Sequence, residues 1–281
     1  MIRFTVHGSR DSMLSNSQVK HINALKIKKY RDEYKEFIAE GNTLVTDLIK
    51  SSYEIAGVYA LSEWITGNLD VVRHKNIPVY EADPADMERI TSLSSPSPVL
   101  AIVKIPPGMV AGLDSAAYGS PEQNIPGLFE ELSVMLEGIS DPGNMGTLLR
   151  IADWFGIRNV ICSENCVELY NPKVVQASMG SVARVSVFYT DLSRFLENIK
   201  GRLPVYGTFL QGDSIYSIQL ENKGIILIGS EAHGISDPLS CFVTGRLYIP
   251  SFGSTDNGKA ESLNAAVATA VVISEFRRRG L

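Results

Sequence analysis

The stretch that decides the fold is Leu247–Pro250, with the sequence LYIP, followed after a polar loop by Ser262–Ala268, with the sequence SLNAAVA. The first part predicts an apolar strand that ends at a proline, and the second predicts the start of a long apolar helix. Ser262 is predicted to cap that helix, because a serine hydroxyl can accept a hydrogen bond from a free backbone N–H of the first turn. Ser262 and Asn264 would then lie at the positive end of a helix, which suits a ligand carrying carboxylate, hydroxyl or phosphate groups.

Length and composition predict a soluble globular protein. The chain has 281 residues, of which 44% are hydrophobic and 20% are charged. This length allows one large domain or two of ordinary size. No run approaches the roughly 18 to 20 apolar residues that cross a bilayer, and the N-terminus lacks the pattern of a secretory signal. We therefore predict a cytoplasmic protein without a membrane segment.

The three cysteines, Cys162, Cys166 and Cys241, do not indicate a metal site. Cys162 and Cys166 are four residues apart, but no second Cys/His pair completes a set of zinc ligands. Reduced thiols of a cytosolic protein are the expected state. The sequence therefore predicts no metal.

Charge is unevenly distributed along the chain. The net charge is −5, but residues 1–105 contain 13 Lys/Arg and 13 Asp/Glu, so the acidic excess lies in the remainder. Within the first part, Lys20–Lys35 contains six Lys/Arg against two acidic residues. Such a basic face can bind a phosphate backbone even on an acidic protein. A solvated helix face is the alternative.

Alternating helix and strand patterns predict an α/β fold in two domains. We predict a small α/β domain at residues 1–105, a linker rich in proline and glycine at 106–128, and a second α/β domain at 129–281. In the first domain, one amphipathic helix is predicted across Ser17–Tyr34. In the second, continuous apolar strands such as Ile225–Ile228 indicate a parallel sheet covered on both faces.

Two further motifs follow predicted strands of the second domain. Asp141–Arg150 (DPGNMGTLLR) opens a helix, with Asn144 at its entry and Arg150 off the apolar stripe. Ile228–Ile235 (IGSEAHGI) places Glu231 at the mouth of a buried strand, where open α/β sheets bind ligands. The first motif lacks the dinucleotide fingerprint G-x-G-x-x-G, so a nicotinamide cofactor is not expected. A capped helix with a surface arginine is the alternative interpretation of that motif.

Together the three motifs resemble those of the SpoU (TrmH-type) RNA ribose 2′-O-methyltransferases of the SPOUT superfamily. The family pattern is an N-x-G-x-x-x-R helix start, then G-x-E-x-x-G, then I-P followed by S-L-N-x-x-x-A. The matching residues here are Asn144-Gly146-Arg150, Gly229-Glu231-Gly234, Ile249-Pro250, and Ser262-Leu263-Asn264 with Ala268. The N-terminal stretch Lys28–Gly41 is similar to the family's accessory RNA-binding domain, which resembles a small ribosomal protein.

This resemblance implies a Rossmann-like catalytic domain with a trefoil knot, and a homodimer with the knots at its interface. It implies S-adenosylmethionine as methyl donor and RNA as substrate. By residue match, the active site would contain Asn144, Arg150, Glu231, Ser262 and Asn264. The donor would be held largely by backbone near Thr208, Leu210, Gly229, Ile249 and Leu263. The proposed RNA-binding residues are Lys26, Lys28, Lys29 and Arg31, followed by Arg158, Arg184 and Arg277–Arg279.

The role of Arg150 differs from the one proposed for the family, which makes this arginine the base that activates the ribose 2′-hydroxyl. A guanidinium group has a pKa above about 12 and is a poor general base. We expect Arg150 to hold a phosphate and to stabilise the developing alkoxide, while another acceptor takes the proton.

The loop before the last motif departs from the family pattern. Ser251 replaces a methionine that often follows Ile-Pro, and Thr255–Lys259 looks inserted. The insertion could form a flexible flap at the donor site, or reach toward RNA through Lys259.

Ribosomal RNA is the predicted substrate, because an accessory N-terminal domain is present. Transfer RNA is the closest alternative. A catalytically silent RNA-binding protein with the same fold is a hypothesis of another class, and an α/β enzyme using a different nucleotide is a third.

Overall fold

The computed structural model describes residues 14–106, 125–253 and 261–279. These residues form two compact units: the first comprises 14–106 together with Leu169–Arg184, and the second comprises the rest. Most of the predicted linker and the inserted loop Thr255–Lys259 lie outside the described residues. Within the described ranges, no helix has the length and apolar character needed to cross a membrane.

The first unit is built on a four-stranded mixed sheet in the order β1-β4-β2-β3. β4 pairs antiparallel with β1 and β2, and β2 pairs parallel with β3. The strands are β1 (Glu36–Glu40), β2 (Ile55–Ala60), β3 (Val79–Glu81) and β4 (Val99–Lys104). The helices are α1 (Asn16–Ala24), α2 (Lys28–Tyr34), α3 (Asn42–Lys50), α4 (Ser62–His74) and α5 (Pro84–Ile90).

The single helix predicted across Ser17–Tyr34 is two helices, so that prediction was wrong in its extent. α1 ends at Ala24 and α2 begins at Lys28, with Ile27 between them in an extended conformation. Arg31 is buried at this break, and its Nη1 donates to the carbonyl of Leu25 at 2.7 Å. A helix end leaves carbonyls without partners inside the helix, and the arginine satisfies one of them.

The segment Leu169–Arg184 packs with the first unit, although the predicted boundaries placed it in the second domain. It contains α7 (Pro172–Ser178) and a short 3₁₀ turn. Tyr170 stacks on Phe37 with ring centroids 4.5 Å apart, and its hydroxyl lies 3.1 Å from that of Tyr53. Buried aromatic contacts between residues distant in sequence therefore define this unit, which explains why it is discontinuous along the chain.

The second unit is built on a wholly parallel six-stranded sheet in the order β10-β8-β9-β5-β6-β7, which confirms the predicted parallel α/β fold. Its strands are β5 (Leu132–Leu136), β6 (Asn159–Ser163), β7 (Ser186–Thr190), β8 (Val205–Ser214), β9 (Gly224–Ile228) and β10 (Gly245–Tyr248). Its helices are α6 (Pro142–Trp154), α8 (Leu192–Ile199), α9 (Asp237–Ser240) and α10 (Ala265–Arg279).

The core of the second unit begins before the predicted boundary at residue 129. Ile125 and Leu128 are buried in the same cluster as Met135 and Leu227 of the central strands. They therefore belong to the folded unit and not to a linker. Because β5 and β9 are neighbouring parallel strands, the loops that follow them meet at one edge of the sheet.

Candidate active site

The entry of α6 follows β5 and is fixed by a side-chain cap. Asp141 Oδ1 accepts a hydrogen bond from the backbone N–H of Asn144 at 2.8 Å, and Pro142 occupies the first turn. Asp followed by Pro is a helix-start signal that the sequence displays. The cap holds Asn144 in the first turn, above the carboxyl end of β5.

The entry of α10 is capped by Asn264 and not by Ser262, so the predicted cap was wrong. α10 begins at Ala265, and Asn264 Oδ1 accepts from the backbone N–H groups of Ala266 at 3.0 Å and Val267 at 3.3 Å. Ser262 is exposed two residues before this position. Asparagine caps helices as well as serine does, so residue type alone could not place the helix start.

The loop after β9 is a tight turn that presents Glu231. The backbone of Ser230 and Gly234 exchanges two hydrogen bonds, Ser230 N to Gly234 O at 3.1 Å and Gly234 N to Ser230 O at 2.8 Å. A Cβ on Gly229 would lie 2.1 Å from the carbonyl carbon of Gly234, so only glycine allows this close approach. Glu231 is exposed in the turn.

Three loops bring Asn144, Glu231 and Asn264 into one hydrogen-bonded cluster. Asn264 Nδ2 donates to Asn144 Oδ1 at 3.0 Å and to Glu231 Oε1 at 3.1 Å, and Asn144 Nδ2 donates to the same Glu231 oxygen. Glu231 Oε2 receives no hydrogen bond from the part of the chain that the structure describes. The carboxylate is thus held by two amides while one oxygen stays available to a ligand hydroxyl.

Arg150 lies on α6, but it does not join this cluster. It is six residues after Asn144, about 9 Å farther along the helix axis, and it is exposed. No described residue forms an ion pair or hydrogen bond with its guanidinium. An exposed arginine without a partner among the described residues is available to bind a phosphate.

The residues predicted to hold a methyl donor lie at the same edge of the sheet. β8 pairs with β10 up to Gly207 opposite Arg246, but the next β10 residue, Leu247, pairs with Asp213. Thr208–Gly212 therefore forms an excursion from the regular strand, and it contains Thr208 and the exposed Leu210.

Gly212 closes the Thr208–Gly212 excursion against β10. A Cβ on Gly212 would lie 2.5 Å from the carbonyl oxygen of Arg246. Gly229, at the end of β9, meets the neighbouring turn just as closely. Ile249 directly follows β10, and Leu263 is half-exposed before α10. Sequence reasoning missed Gly212, because a strand register shift is invisible without the pairing partner.

The predicted RNA-binding set of the first unit must be corrected. Arg31 is 2% exposed and is used inside the fold, so it cannot contact RNA. Lys26 Nζ donates to the carbonyl of Thr91 at 2.6 Å, and burial lowers the pKa of this lysine. Lys28 is exposed and pairs with Asp32 at 2.5 Å, and Lys29 is exposed. Only Lys28 and Lys29 remain as candidates from this set.

The additional arginines proposed for RNA binding mostly stabilise the fold. Arg184 pairs with Asp47 at 3.1 Å in the first unit. In the second unit, Arg277 donates to the carbonyls of Phe155 at 2.8 Å and Gly156 at 3.1 Å, which ties the end of α10 to the end of α6. These arginines are therefore poor candidates for RNA contacts.

All three cysteines are free thiols. Cys162 and Cys166 are buried and free, and Cys241 is exposed. Burial raises the pKa of the Cys162 thiol, whereas a hydrogen bond with Cys162 lowers the pKa of Cys166 to about 7. Within residues 14–106, 125–253 and 261–279, no group of His, Cys, Asp and Glu could hold a metal ion.

Glu275 forms ion pairs within α10, the helix that Asn264 caps, and this predicts a pH-dependent stability. Its carboxylate accepts from Arg278 at 2.7 and 2.8 Å and from Arg279 at 2.7 Å, and these bonds lower its pKa from 4.5 to about 2. The stabilisation is present above pH 4.5 and is lost as the pH falls toward 2. We expect Glu275→Gln to lower the free energy of unfolding by about 1 kcal/mol at pH 7, because solvent screens these arginines. Urea unfolding at pH 7, 4 and 2.5 should show this difference shrinking, and a constant difference would contradict the assignment.

Known protein-family profiles match both the N-terminal and the C-terminal parts of the chain. The profile of the SpoU rRNA Methylase family matches residues 131–274, and that of the MRM3-like substrate binding domain matches residues 16–101. Over 265 residues the chain is 26% identical to the 23S rRNA (guanosine(2553)-2′-O)-methyltransferase RlmP of Bacillus subtilis, covering 93% of this chain and 96% of that protein.

Two solved structures match nearly the whole chain. A TrmH-family structure from Porphyromonas gingivalis is 34% identical, with a TM-score of 0.76 over 95% of this chain and 99% of that chain. An AdoMet-bound rRNA methyltransferase from Sinorhizobium meliloti is 27% identical, with a TM-score of 0.79 over 95% and 97% of the two chains. The motif residues, the parallel sheet and these matches lead to one conclusion: the chain belongs to the SpoU rRNA methylase family.

Proposed function

We propose that this protein transfers a methyl group from S-adenosylmethionine to a ribose 2′-hydroxyl of ribosomal RNA. The observation that carries the proposal is the Asn144–Glu231–Asn264 cluster at the carboxyl edge of the sheet, with Arg150 unpaired on the same helix as Asn144. A ribosomal RNA substrate fits the substrate-binding profile of the first unit and the activity named for the Bacillus subtilis relative. Such a substrate would put the reaction in the cytoplasm.

The sheet edge fits an adenosyl ligand held by backbone. Thr208–Gly212 leaves the regular ladder, and Gly212 and Gly229 each allow a backbone approach that a side chain would block. Loops of this kind expose peptide N–H and C=O groups to a ligand. We infer that Thr208, Leu210, Gly229, Ile249 and Leu263 hold the donor. When bound, S-adenosylmethionine would supply the electrophilic methyl group of its sulfonium and would leave as S-adenosylhomocysteine, the S–CH3 bond breaking as the O–CH3 bond forms.

In the proposed mechanism, the protein positions the ribose, stabilises the charge that develops on the 2′-oxygen and accepts the hydroxyl proton. Arg150 binds a phosphate next to the target ribose, which aligns the 2′-oxygen and stabilises the charge that develops on it. Glu231 accepts a hydrogen bond from the 2′-hydroxyl through Oε2 and takes its proton as the oxygen bonds to the methyl group. Asn144 and Asn264 fix the carboxylate through its other oxygen. Positioning of the reacting atoms supplies much of the acceleration.

Label transfer to RNA tests the proposal directly. Under-methylated total RNA is incubated with the protein and methyl-labelled S-adenosylmethionine, and ribosomal and transfer fractions are separated. Alkali cannot cleave next to a 2′-O-methylated ribose, so we expect label in alkali-resistant dinucleotides from ribosomal RNA. Label in the transfer RNA fraction alone would show that the substrate is transfer RNA and not ribosomal RNA. Absence of both transfer and donor binding would favour a catalytically silent RNA-binding protein.

We further propose that the second unit is knotted and forms a homodimer. The strand order places β9 between β5 and β8, so a late strand inserts between two earlier ones.

The proposed dimer rests on an exposed aromatic residue: Trp154, on α6, is 85% exposed. A tryptophan so exposed is typical of a surface that a partner covers. A second copy of this chain is the proposed partner.

Replacing Trp154 tests the dimer. We expect Trp154→Asp to weaken self-association by about 30-fold or more, because a buried charge would replace a large apolar anchor. Light scattering after size-exclusion chromatography, over a range of protein concentrations, measures the change. Met179→Asp is the matched control, since Met179 is an exposed apolar residue of the first unit at 45% exposure. A wild-type protein that stays monomeric at micromolar concentration would refute the dimer.

A further inference from the structure

We propose that Tyr30 and Tyr34 stack against an unpaired base of the RNA, while neighbouring lysines hold its backbone. His21, Lys29, Tyr30 and Tyr34 define this stacking face of the first unit. The inference rests on the proposed function, because it names the RNA feature that the substrate-binding unit contacts.

The stacking face contains two aromatic rings that are stacked with nearly parallel planes. Tyr30 and Tyr34 are four residues apart on α2, so their side chains emerge on the same side of the helix. Their ring planes differ by 12° and their centroids lie 6.1 Å apart. The His21 ring lies 4.9 Å from that of Tyr34 and is tilted by 60°. The two tyrosine rings thus form a stacked aromatic pair at the surface of the first unit.

Packing within the fold does not account for this pair. Tyr34 is 42% exposed, and among the residues that the structure describes neither Tyr30 nor Tyr34 has a hydrogen-bond partner for its hydroxyl. A second tyrosine pair of this unit, Tyr59 and Tyr80, contrasts with it: Tyr59 is 6% exposed, and burial raises its pKa. Tyr59 thus belongs to the core, whereas Tyr34 is exposed to solvent and Tyr30 is partly buried.

The lysines around the stacking face favour nucleic acid as its ligand, because Lys29 and Lys35 have no ion-pair partner among the described residues. Lys28 pairs with Asp32, and Glu33 is the exposed carboxylate of the same helix. Lys29 Nζ lies 5.7 Å from the centre of the Tyr30 ring, and Lys28 and Lys35 flank the same short helix with exposed side chains. Exposed aromatic rings among lysines are typical of surfaces that bind single-stranded nucleic acid. A duplex keeps its base faces covered, so an unpaired base is the expected contact.

A fluorescent RNA tests the stacking directly. The probe is a hairpin RNA with 2-aminopurine in its loop, since stacking on an aromatic ring quenches this base. We expect the full-length wild-type protein to bind the hairpin with quenching. Tyr30→Leu/Tyr34→Leu should lose the quenching and bind about tenfold more weakly. Tyr30→Phe/Tyr34→Phe keeps the rings and should behave like wild type.

Three results would overturn the stacking face. They are unchanged quenching in the leucine variant, binding of the hairpin by wild type without quenching, and equal affinity for a fully paired duplex of the same length. Thermal melting establishes that each variant is folded, and Tyr34→Leu alone replaces the double variant if that one unfolds. Label transfer by the wild-type protein is measured in parallel. Its absence counts against the proposed methyl transfer, whereas quenching reports only on the stacking face.

Discussion

Replacing Arg150 by alanine is expected to reduce methyl transfer by about 10²- to 10³-fold, while S-adenosylmethionine binding changes by less than several-fold. The guanidinium has no partner among the described residues, so its removal costs the fold little. Its expected interactions are with RNA and with the charge that develops on the 2′-oxygen, and both are lost in the variant. Single-turnover label transfer and calorimetric titration of the donor measure the two effects separately.

Two controls sharpen the Arg150 experiment. Arg202→Ala removes another exposed arginine of the second unit, one that precedes β8 and so lies at the opposite edge of the parallel sheet. It should transfer methyl groups like wild type. Arg150→Lys keeps the charge but loses bidentate geometry, and we expect only partial activity. Wild-type turnover by Arg150→Ala would refute the assigned role.

Asn264 is expected to show two separable effects, because it caps α10 and also holds Glu231. Asn264→Ala removes both interactions, so we expect a loss of about 1 kcal/mol in the free energy of unfolding and a loss of transfer of about 10²-fold. Asn264→Ser keeps a capping oxygen but has no amide to donate to Glu231 or Asn144. The serine variant should therefore unfold close to wild type and yet transfer as poorly as the alanine variant.

Chemical denaturation and single-turnover transfer of the same preparations distinguish these outcomes. If Asn264→Ser recovers both stability and activity, the residue acts only as a helix cap. If both variants remain active, the amide contacts to Glu231 do not contribute to the reaction. Glu231→Gln extends the test, because its amide oxygen can still accept from both asparagines while the negative charge is lost. We expect that variant to fold normally and to transfer slowly.

Much of the second unit was predictable from local sequence. Continuous apolar runs such as Ile225–Ile228 predicted buried parallel strands, and the structure confirms them. The family resemblance implied one active site containing Asn144, Arg150, Glu231, Ser262 and Asn264. The structure brings Asn144, Glu231 and Asn264 together. Their shared hydrogen bonds agree with that expectation.

Predictions failed where the local sequence was compatible with more than one local structure. Ser262 and Asn264 are both good helix caps, and the structure uses Asn264. The α4 helix, Ser62–His74, received no prediction. It contains Gly67 and β-branched residues of low helix propensity, and burial of Trp64 and Ile65 compensates for them.

The sequence by itself determined the alternation of strands and helices, the family motifs and the order of the site residues, because these depend on neighbours along the chain. Tertiary structure alone decided which basic residues face solvent. Arg31 and Lys29 are two positions apart, but Arg31 satisfies a buried helix-end carbonyl while Lys29 stays exposed. Tertiary structure also decided that Leu169–Arg184 joins the first unit, since Tyr170 buries its ring against Phe37. Contacts between residues distant in sequence determine these outcomes, so local sequence patterns cannot predict them.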